Sequence, residues 1–489
     1  MGVLMQTGST DGWNRSDPES QGIHSASILG FLRRIEADDL ELHGLMIVRG
    51  GHVVAEGAWA PYRLDDPHAL NSLSKSFTST AIGLAAEEGK LSIDDSVISF
   101  FPEEVTPAIA DNMKDLKVRH LLSMTTGHTV DTIPIMHGSP HGNWVKAFLE
   151  TPIERPPGTH FLYNTGASYM LSAILYRATG EQLLDWLRPR LFEPLGIAGV
   201  STFVCPRGIH AGGYGMFMSV SDIAKFGQLY LQEGVWEGKR ILPAEWVRTA
   251  TSRQADNGDD PSSDWAQGYG FQFWRCRHGA YRGDGAFGQF CVVIPHKQAV
   301  VAMTAGAMEM QDILNAVWEE LLPGMEDAPI GRPDAAAQRE LAERLRALAY
   351  PAAPSAKAGD EARWSGKTWQ VADNPTGIRT LKLTFADGGA GLEIGIADVT
   401  QRIRIGHGEW ADGAIRIGGF EVPLSASGRW IRRNVYEIDL RFLGQAFHDR
   451  LTCHFVDNRL QVSVTRNVWI MPGLSDPLLP PTLMAESLK

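Results

Sequence analysis

Asn71-Ser72-Leu73-Ser74-Lys75-Ser76-Phe77-Thr78-Ser79-Thr80-Ala81 sets a hydroxyl and an amine three residues apart, at what reads as the start of a helix. Phe77, Ala81, Ile82, Leu84 and Ala85 recur at helical spacing, with few breakers before Gly89. Residues three apart on a helix share a face, so Lys75 reaches back one turn toward the Ser72 hydroxyl. A serine hydroxyl is a weak nucleophile until a base takes its proton. A lysine is such a base if its surroundings lower its pKa toward neutrality. The free N–H groups and positive dipole end of the helix suit a developing oxyanion. Ser-x-x-Lys thus supplies nucleophile and base within one turn.

Outward from this stretch the pattern is α+β. Residues 25–36 read as an amphipathic helix, followed by strands at Gly44–Arg49 and His52–Gly57 around a Gly50-Gly51 turn. Residues 90–260 carry mostly helical patterns, including Val118-Arg-His-Leu-Leu-Ser-Met and Tyr169-Met-Leu-Ser-Ala-Ile-Leu-Tyr. Strands resume at Gly270–Trp274, Phe290–Ile294 and Ala299–Thr304, and Ile313–Leu322 reads as a closing helix. This order predicts an antiparallel sheet flanked by helices, with a helical lobe, over residues 1–330. Residues 331–361 read as a helix and a Pro/Ala linker. Residues 362–475 alternate with period two in at least six short segments and predict a small all-β sandwich or barrel, with 476–489 as a tail. The β domain is expected to act as a lid, a spacer or an oligomerisation surface.

At 489 residues two domains are expected. A net charge of −12 argues against a nucleic-acid partner, and glutamates interleave the densest basic stretch, Arg339–Arg346. No apolar run reaches the ~20 residues of a membrane span. Residues 1–12 lack the basic start and apolar core of a secretory signal, so a cytoplasmic location is expected. The four cysteines are scattered, which suggests neither a zinc cage nor a disulfide framework. His137 and His141 flank Gly and Pro and have no Glu in a His-Glu-x-x-His pattern, so no metal is expected. Gly212-Gly-Tyr-Gly-Met lacks the Lys-Ser/Thr of a phosphate loop, and Trp144, Trp265 and Trp274 read as core residues.

Val118-Arg-His-Leu-Leu-Ser-Met-Thr-Thr-Gly, Pro157-Gly-Thr-His-Phe-Leu-Tyr-Asn-Thr-Gly and Gly283-Asp-Gly-Ala-Phe-Gly-Gln follow Ser-x-x-Lys in order. Together these motifs resemble the penicillin-recognising serine hydrolases, which include class C β-lactamases, DD-peptidases, D-aminopeptidases, family VIII esterases and 6-aminohexanoate-dimer hydrolases. The resemblance covers roughly residues 20–325 and implies a β-lactamase-like fold with no cofactor. It also implies that Ser72 is acylated, that Lys75 is its base, and that Tyr163 is the motif tyrosine that protonates the leaving group, its phenolate favoured by a neighbouring ammonium. The backbone N–H groups of Ser72 and Ala286 would form the oxyanion hole. The Tyr-x-Asn motif ends here in threonine, so either the Thr165 hydroxyl replaces the amide or Asn164 turns into the site. Where the family carries Lys-Thr-Gly, this chain has Arg282 and Asp284. Asp284 should repel anionic substrates such as penicillins, unless Arg282 neutralises it or binds a carboxylate itself. The expected partner is a small molecule or short peptide, and a homo-oligomer is compatible with the sequence. Acylation serves peptidases, amidases and esterases alike, and the added β domain, similar to that of D-aminopeptidase-like members, favours amides or peptides. The alternatives are a carboxylesterase with little amidase activity and a non-catalytic penicillin-binding-like binder.

Overall fold

The computed structural model describes residues 11–354, 359–386, 388–417, 420–469 and 482–487. The N-terminal stretch up to residue 10, part of the 350–359 linker and most of 476–489 lie outside the described residues. Two compact units emerge. One comprises residues 11–57, Pro67–Ala305 and Glu309–Arg346; the other comprises Ala58–Asp66, Gly306–Met308 and the described residues from Ala347 onward.

The first unit is built on a seven-stranded sheet. Its spatial order is Asn14–Arg15, His52–Ala58, Leu42–Arg49, Ala299–Ala305, Gln289–Ile294, Tyr281–Gly285 and Trp274–Arg275. The edge pair Asn14–Arg15 with His52–Val53 is parallel, whereas the pairings from Leu42–Arg49 across to Trp274 are antiparallel. Gln289–Ile294 and Ala299–Ala305 are buried at every position, which is why they read as continuous apolar runs rather than as alternation. Helix Val220–Leu231 lies on these strands. Gly227 allows the close approach, since a Cβ there would stand 2.6 Å from Val300 and 2.8 Å from Cys291.

The nucleophile helix runs Ser74–Glu87 after a 3-10 turn, Asn71–Leu73, and is buried without interruption from Ser74 to Ala85. It packs against helix Thr165–Thr179, another almost wholly buried element. One expected strand is largely missing: of Gly270–Trp274 only Trp274 enters the sheet, because Gln272 adopts a left-handed φ of 63° and breaks the extended run.

The second unit is a closed β-barrel. Ten strands run in the order Val399–Gly406, Gly389–Ile396, Ile378–Ala386, Thr368–Val371, Leu483–Ser487, Arg459–Arg466, His448–Val456, Val435–Phe442, Phe420–Arg432 and Ala411–Ile417. A parallel bridge from Gly406 to Ser427 joins the first strand to the next-to-last. The interior holds Trp364, Trp369, Trp430, Phe385, Tyr436 and Phe455. Trp364 comes from a short helix, Glu361–Trp364, that period-two alternation gave no reason to expect. The reading of 476–489 as a tail requires correction. Leu483–Ser487 inserts between Thr368–Val371 and Arg459–Arg466, with Leu483 and Ala485 facing the core. The 331–361 segment also divides differently: helix Ala335–Arg346 belongs to the first unit, and the chain passes into the second at Ala347.

Candidate active site

Asn71 takes a left-handed φ of 48°, a conformation asparagine tolerates better than most residues, and so turns the chain sharply into Ser72. The turn is pinned on both sides. The Ser74 hydroxyl donates to the Asn71 carbonyl at 2.7 Å, and the Asn71 amide donates to the Ala286 carbonyl at 2.9 Å. The Gln289 amide also donates to the Ala286 carbonyl, at 3.1 Å. Strand Tyr281–Gly285 passes so close that a Cβ on Gly285 would lie 2.0 Å from the Leu70 carbonyl oxygen. Ala286, immediately after this strand, is therefore held beside the turn that carries Ser72.

Lys75 is 1% exposed, and its Nζ lies 3.0 Å from Ser72 Oγ. The same nitrogen donates to the Gly213 carbonyl at 2.7 Å and approaches Thr165 Oγ1 at 3.5 Å. Burial drives its pKa down to about 7, against an upward pull from Asp131 and Asp284. A neutral amine has two N–H donors and one lone pair. Gly213 and Thr165 match the donors, leaving the lone pair for the Ser72 proton. Gly213 is held in place by its loop: Thr78 Oγ1 donates to the Gly212 carbonyl at 2.6 Å, and the Met216 N–H donates to Ser74 Oγ at 3.2 Å.

Tyr163 packs against Lys75, its ring centroid 4.9 Å from Nζ, and is stacked on Trp274 at 5.3 Å. The nearby Ser72 hydroxyl pulls the phenol pKa down, but this is a lesser influence than burial. The expected phenolate is not favoured. Burial, reinforced by Asp284, pushes the phenol well above its ordinary value, so it stays a proton donor. Of the two readings of the motif's polar partner, the geometry brings Thr165 to Lys75. Asn164 instead caps helix Thr165–Thr179, its Oδ1 accepting from the Gly166 N–H at 3.1 Å, the Thr132 N–H at 3.1 Å and Thr132 Oγ1 at 2.8 Å.

Arg282 is fully buried. Its Nε donates to Asp284 Oδ2 at 2.9 Å and its Nη1 to the Asp264 carbonyl at 2.8 Å, while Trp265 lies under the guanidinium at 4.4 Å. The guanidinium is thus turned onto Asp284 and the Asp264 carbonyl. Trp265 and Trp274, read as core residues, pack directly against Arg282 and Tyr163.

Asp131 was not among the residues singled out from sequence, and Gly213 was met there only within the glycine-rich stretch Gly212–Met216, with no link to Lys75. Asp131 Oδ1 accepts from the Thr165 N–H at 2.9 Å and the Ile133 N–H at 3.0 Å. Its signal in the chain is only an acidic residue before a short helical pattern, and nothing local ties it to Lys75. His137 pairs with the Tyr214 hydroxyl at 2.8 Å. Among the described residues no group of three or more His, Cys, Asp or Glu gathers in a way that could hold a metal ion. No helix among them is long and apolar enough to cross a membrane.

The family model described as Beta-lactamase matches residues 32–321. The 6-aminohexanoate-dimer hydrolase of Paenarthrobacter ureafaciens is 25% identical over 278 residues, 52% of this chain and 70% of that protein. The lovastatin esterase of Penicillium rubens is 25% identical over 170 residues, 30% of this chain and 42% of the esterase. A penicillin-binding protein homologue from Caulobacter crescentus superposes with a TM-score of 0.50 at 16% identity, covering 63% of this chain and 99% of that one; the likeness is one of fold. A family match over residues 32–321 of 489 spans more than half of the sequence, and the chain belongs to the β-lactamase family of serine hydrolases.

Proposed function

We propose that the protein hydrolyses a carboxylic amide or ester bond of a small, uncharged substrate through an acyl-Ser72 intermediate. The observation that carries this reading is a lysine buried 3.0 Å from a serine hydroxyl with its pKa brought to about 7. At neutral pH a substantial fraction of Lys75 is free amine and accepts the Ser72 proton as Oγ attacks the carbonyl carbon. The tetrahedral oxygen sits against the backbone N–H groups of Ser72 and Ala286, one such donor being worth roughly 3 kcal/mol. The Tyr163 phenol, protonated in its buried setting, gives its proton to the departing nitrogen or oxygen, and the Lys75 ammonium replaces it. Water then attacks the acyl carbon, and Ser72 regains its proton.

Beside the hole stands Asp284, with Arg282 buried against it. That favours neutral substrates over anionic ones. The relatives include an esterase as well as a hydrolase of an amino-acid dimer, and acyl transfer from Ser72 accommodates both. Incubation with a fluorophosphonate should add one phosphonyl group, mapped to Ser72 by peptide mass, and Ser72→Ala should add none. A chain that stays unlabelled overturns the reading.

A further inference from the structure

We infer that Asp131 is a positioning residue for the general base, holding the Lys75 partner Thr165 in place and supplying a negative charge against which the amine titrates. This rests on the reading of Ser72 and Lys75 given above. Two short cap interactions interlock here. Asp131 Oδ1 accepts from the Thr165 N–H at 2.9 Å, the Gly166 N–H at 3.5 Å and the Ile133 N–H at 3.0 Å. In return Asn164, just before Thr165, accepts from the backbone and the hydroxyl of Thr132, just after Asp131. The starts of helices Ile133–His137 and Thr165–Thr179 are thereby tied to each other, and the Thr165 hydroxyl points at Lys75 Nζ from 3.5 Å. Gly166 keeps the two close, because a Cβ there would meet Thr132 Oγ1 at 2.0 Å.

The charge acts separately from the geometry. The ionisable groups around Lys75 and Asp131 are Asp284, Tyr163 and His137. Asp284, on the strand ending at Gly285, is paired with Arg282 at 2.8 Å. Tyr163 is held neutral by burial. His137, on the helix after Asp131, lies within that carboxylate's influence and is itself held toward neutrality by burial. Asp131 has backbone N–H partners but, among the described residues, no arginine or lysine bonded to it, so its negative charge is less compensated than that of Asp284. It favours the ammonium form of Lys75, opposing the burial that favours the amine.

The test uses the pH dependence of Ser72 labelling by a fluorophosphonate, in which Oγ displaces fluoride from phosphorus and the hydroxyl proton leaves through Lys75. The wild-type rate should rise as pH passes about 7, where Lys75 loses its proton. Asp131→Asn retains an oxygen that accepts the three N–H bonds and removes only the charge. Its labelling curve should move to lower pH by about half a unit or more. Asp131→Ala loses the acceptor as well, and its plateau rate should fall several-fold below that of Asp131→Asn. Thermal melts of all three proteins separate these effects from unfolding. A labelled wild type whose curve Asp131→Asn leaves in place, or moves to higher pH, overturns the role of Asp131 alone. A wild type that is not labelled at any pH overturns the Ser72 reading and this inference with it.

Discussion

Two cations are buried within the same unit, and they meet opposite fates. Lys75 lies against a hydroxyl, a backbone carbonyl and an aromatic face, with no carboxylate bonded to it among the described residues, and burial brings its pKa to about 7. Arg282 is buried at least as deeply. Burial works against its charge too, but Cys276, Asp284 and Asp264 outweigh the penalty, and its pKa ends above the ordinary arginine value. Burial alone does not make a base; burial without a bonded counter-charge does. Lys75 can surrender its charge and Arg282 cannot, so one is suited to chemistry and the other to holding a wall.

The largest effect that could break this contrast is on turnover. Ser72→Ala and Lys75→Met should each lower the rate of ester or amide hydrolysis by roughly a thousandfold or more, with the double variant no worse than either single one, because the two residues act as a unit. Steady-state kinetics on a chromogenic ester checks this, and additive losses would contradict it. Stability should respond the other way round. Arg282→Met leaves Asp284 buried without its partner and should cost about 3–5 kcal/mol in denaturant unfolding. A loss as small as that expected of an exposed ion pair would mean the pair is not fully desolvated.

The Lys75 site also predicts a pH dependence with a definite sign. Its folded pKa, about 7, lies below the unfolded value near 10. Between those limits the unfolded chain holds a proton that the folded chain lacks, so this group's contribution to stability rises with pH, and its penalty is greatest below about pH 7. The Tm advantage of Lys75→Met over wild type should therefore be larger at low pH and shrink as pH rises toward 10. Calorimetric scans across that range would show it, and an advantage that grows with pH would refute it. The smallest effect concerns selectivity. For a matched pair of substrates, one carboxylate-terminated and one amide-capped, kcat/KM should favour the capped one. Asp284→Asn should narrow the gap by only a few-fold, because Arg282 already offsets part of the Asp284 charge.

Ser72 and Lys75 were legible because both lie within one helical turn, where spacing alone fixes which side chains meet. The all-β character of the second unit was legible from segments such as Leu381–Phe385 and Val435–Leu440, whose alternation extends into strands Ile378–Ala386 and Val435–Phe442. Strand Leu483–Ser487 was not. It is five residues long, and it holds its place by filling the gap between Thr368–Val371 and Arg459–Arg466, two strands far apart in the chain. Tyr163 could be named from its motif, but its protonation could not. That state depends on burial against Trp274 and Tyr269, which the fold brings from a hundred residues away. Gly213 and Asp131 act on Lys75 through a carbonyl and through a cap: the glycine-rich stretch around Gly213 marks a loop without showing what its carbonyl meets, and Asp131 leaves no pattern in the neighbouring sequence.

The central claim is that Lys75 is a free amine near neutrality because it is buried without a bonded counter-ion. Carbon-13 NMR of lysine labelled at Cε, with Lys75→Met to assign the signal, measures this directly. A Lys75 resonance titrating with a midpoint near 7, apart from the remaining lysines, is the expected result. A midpoint close to the ordinary lysine value of about 10.4 would contradict it.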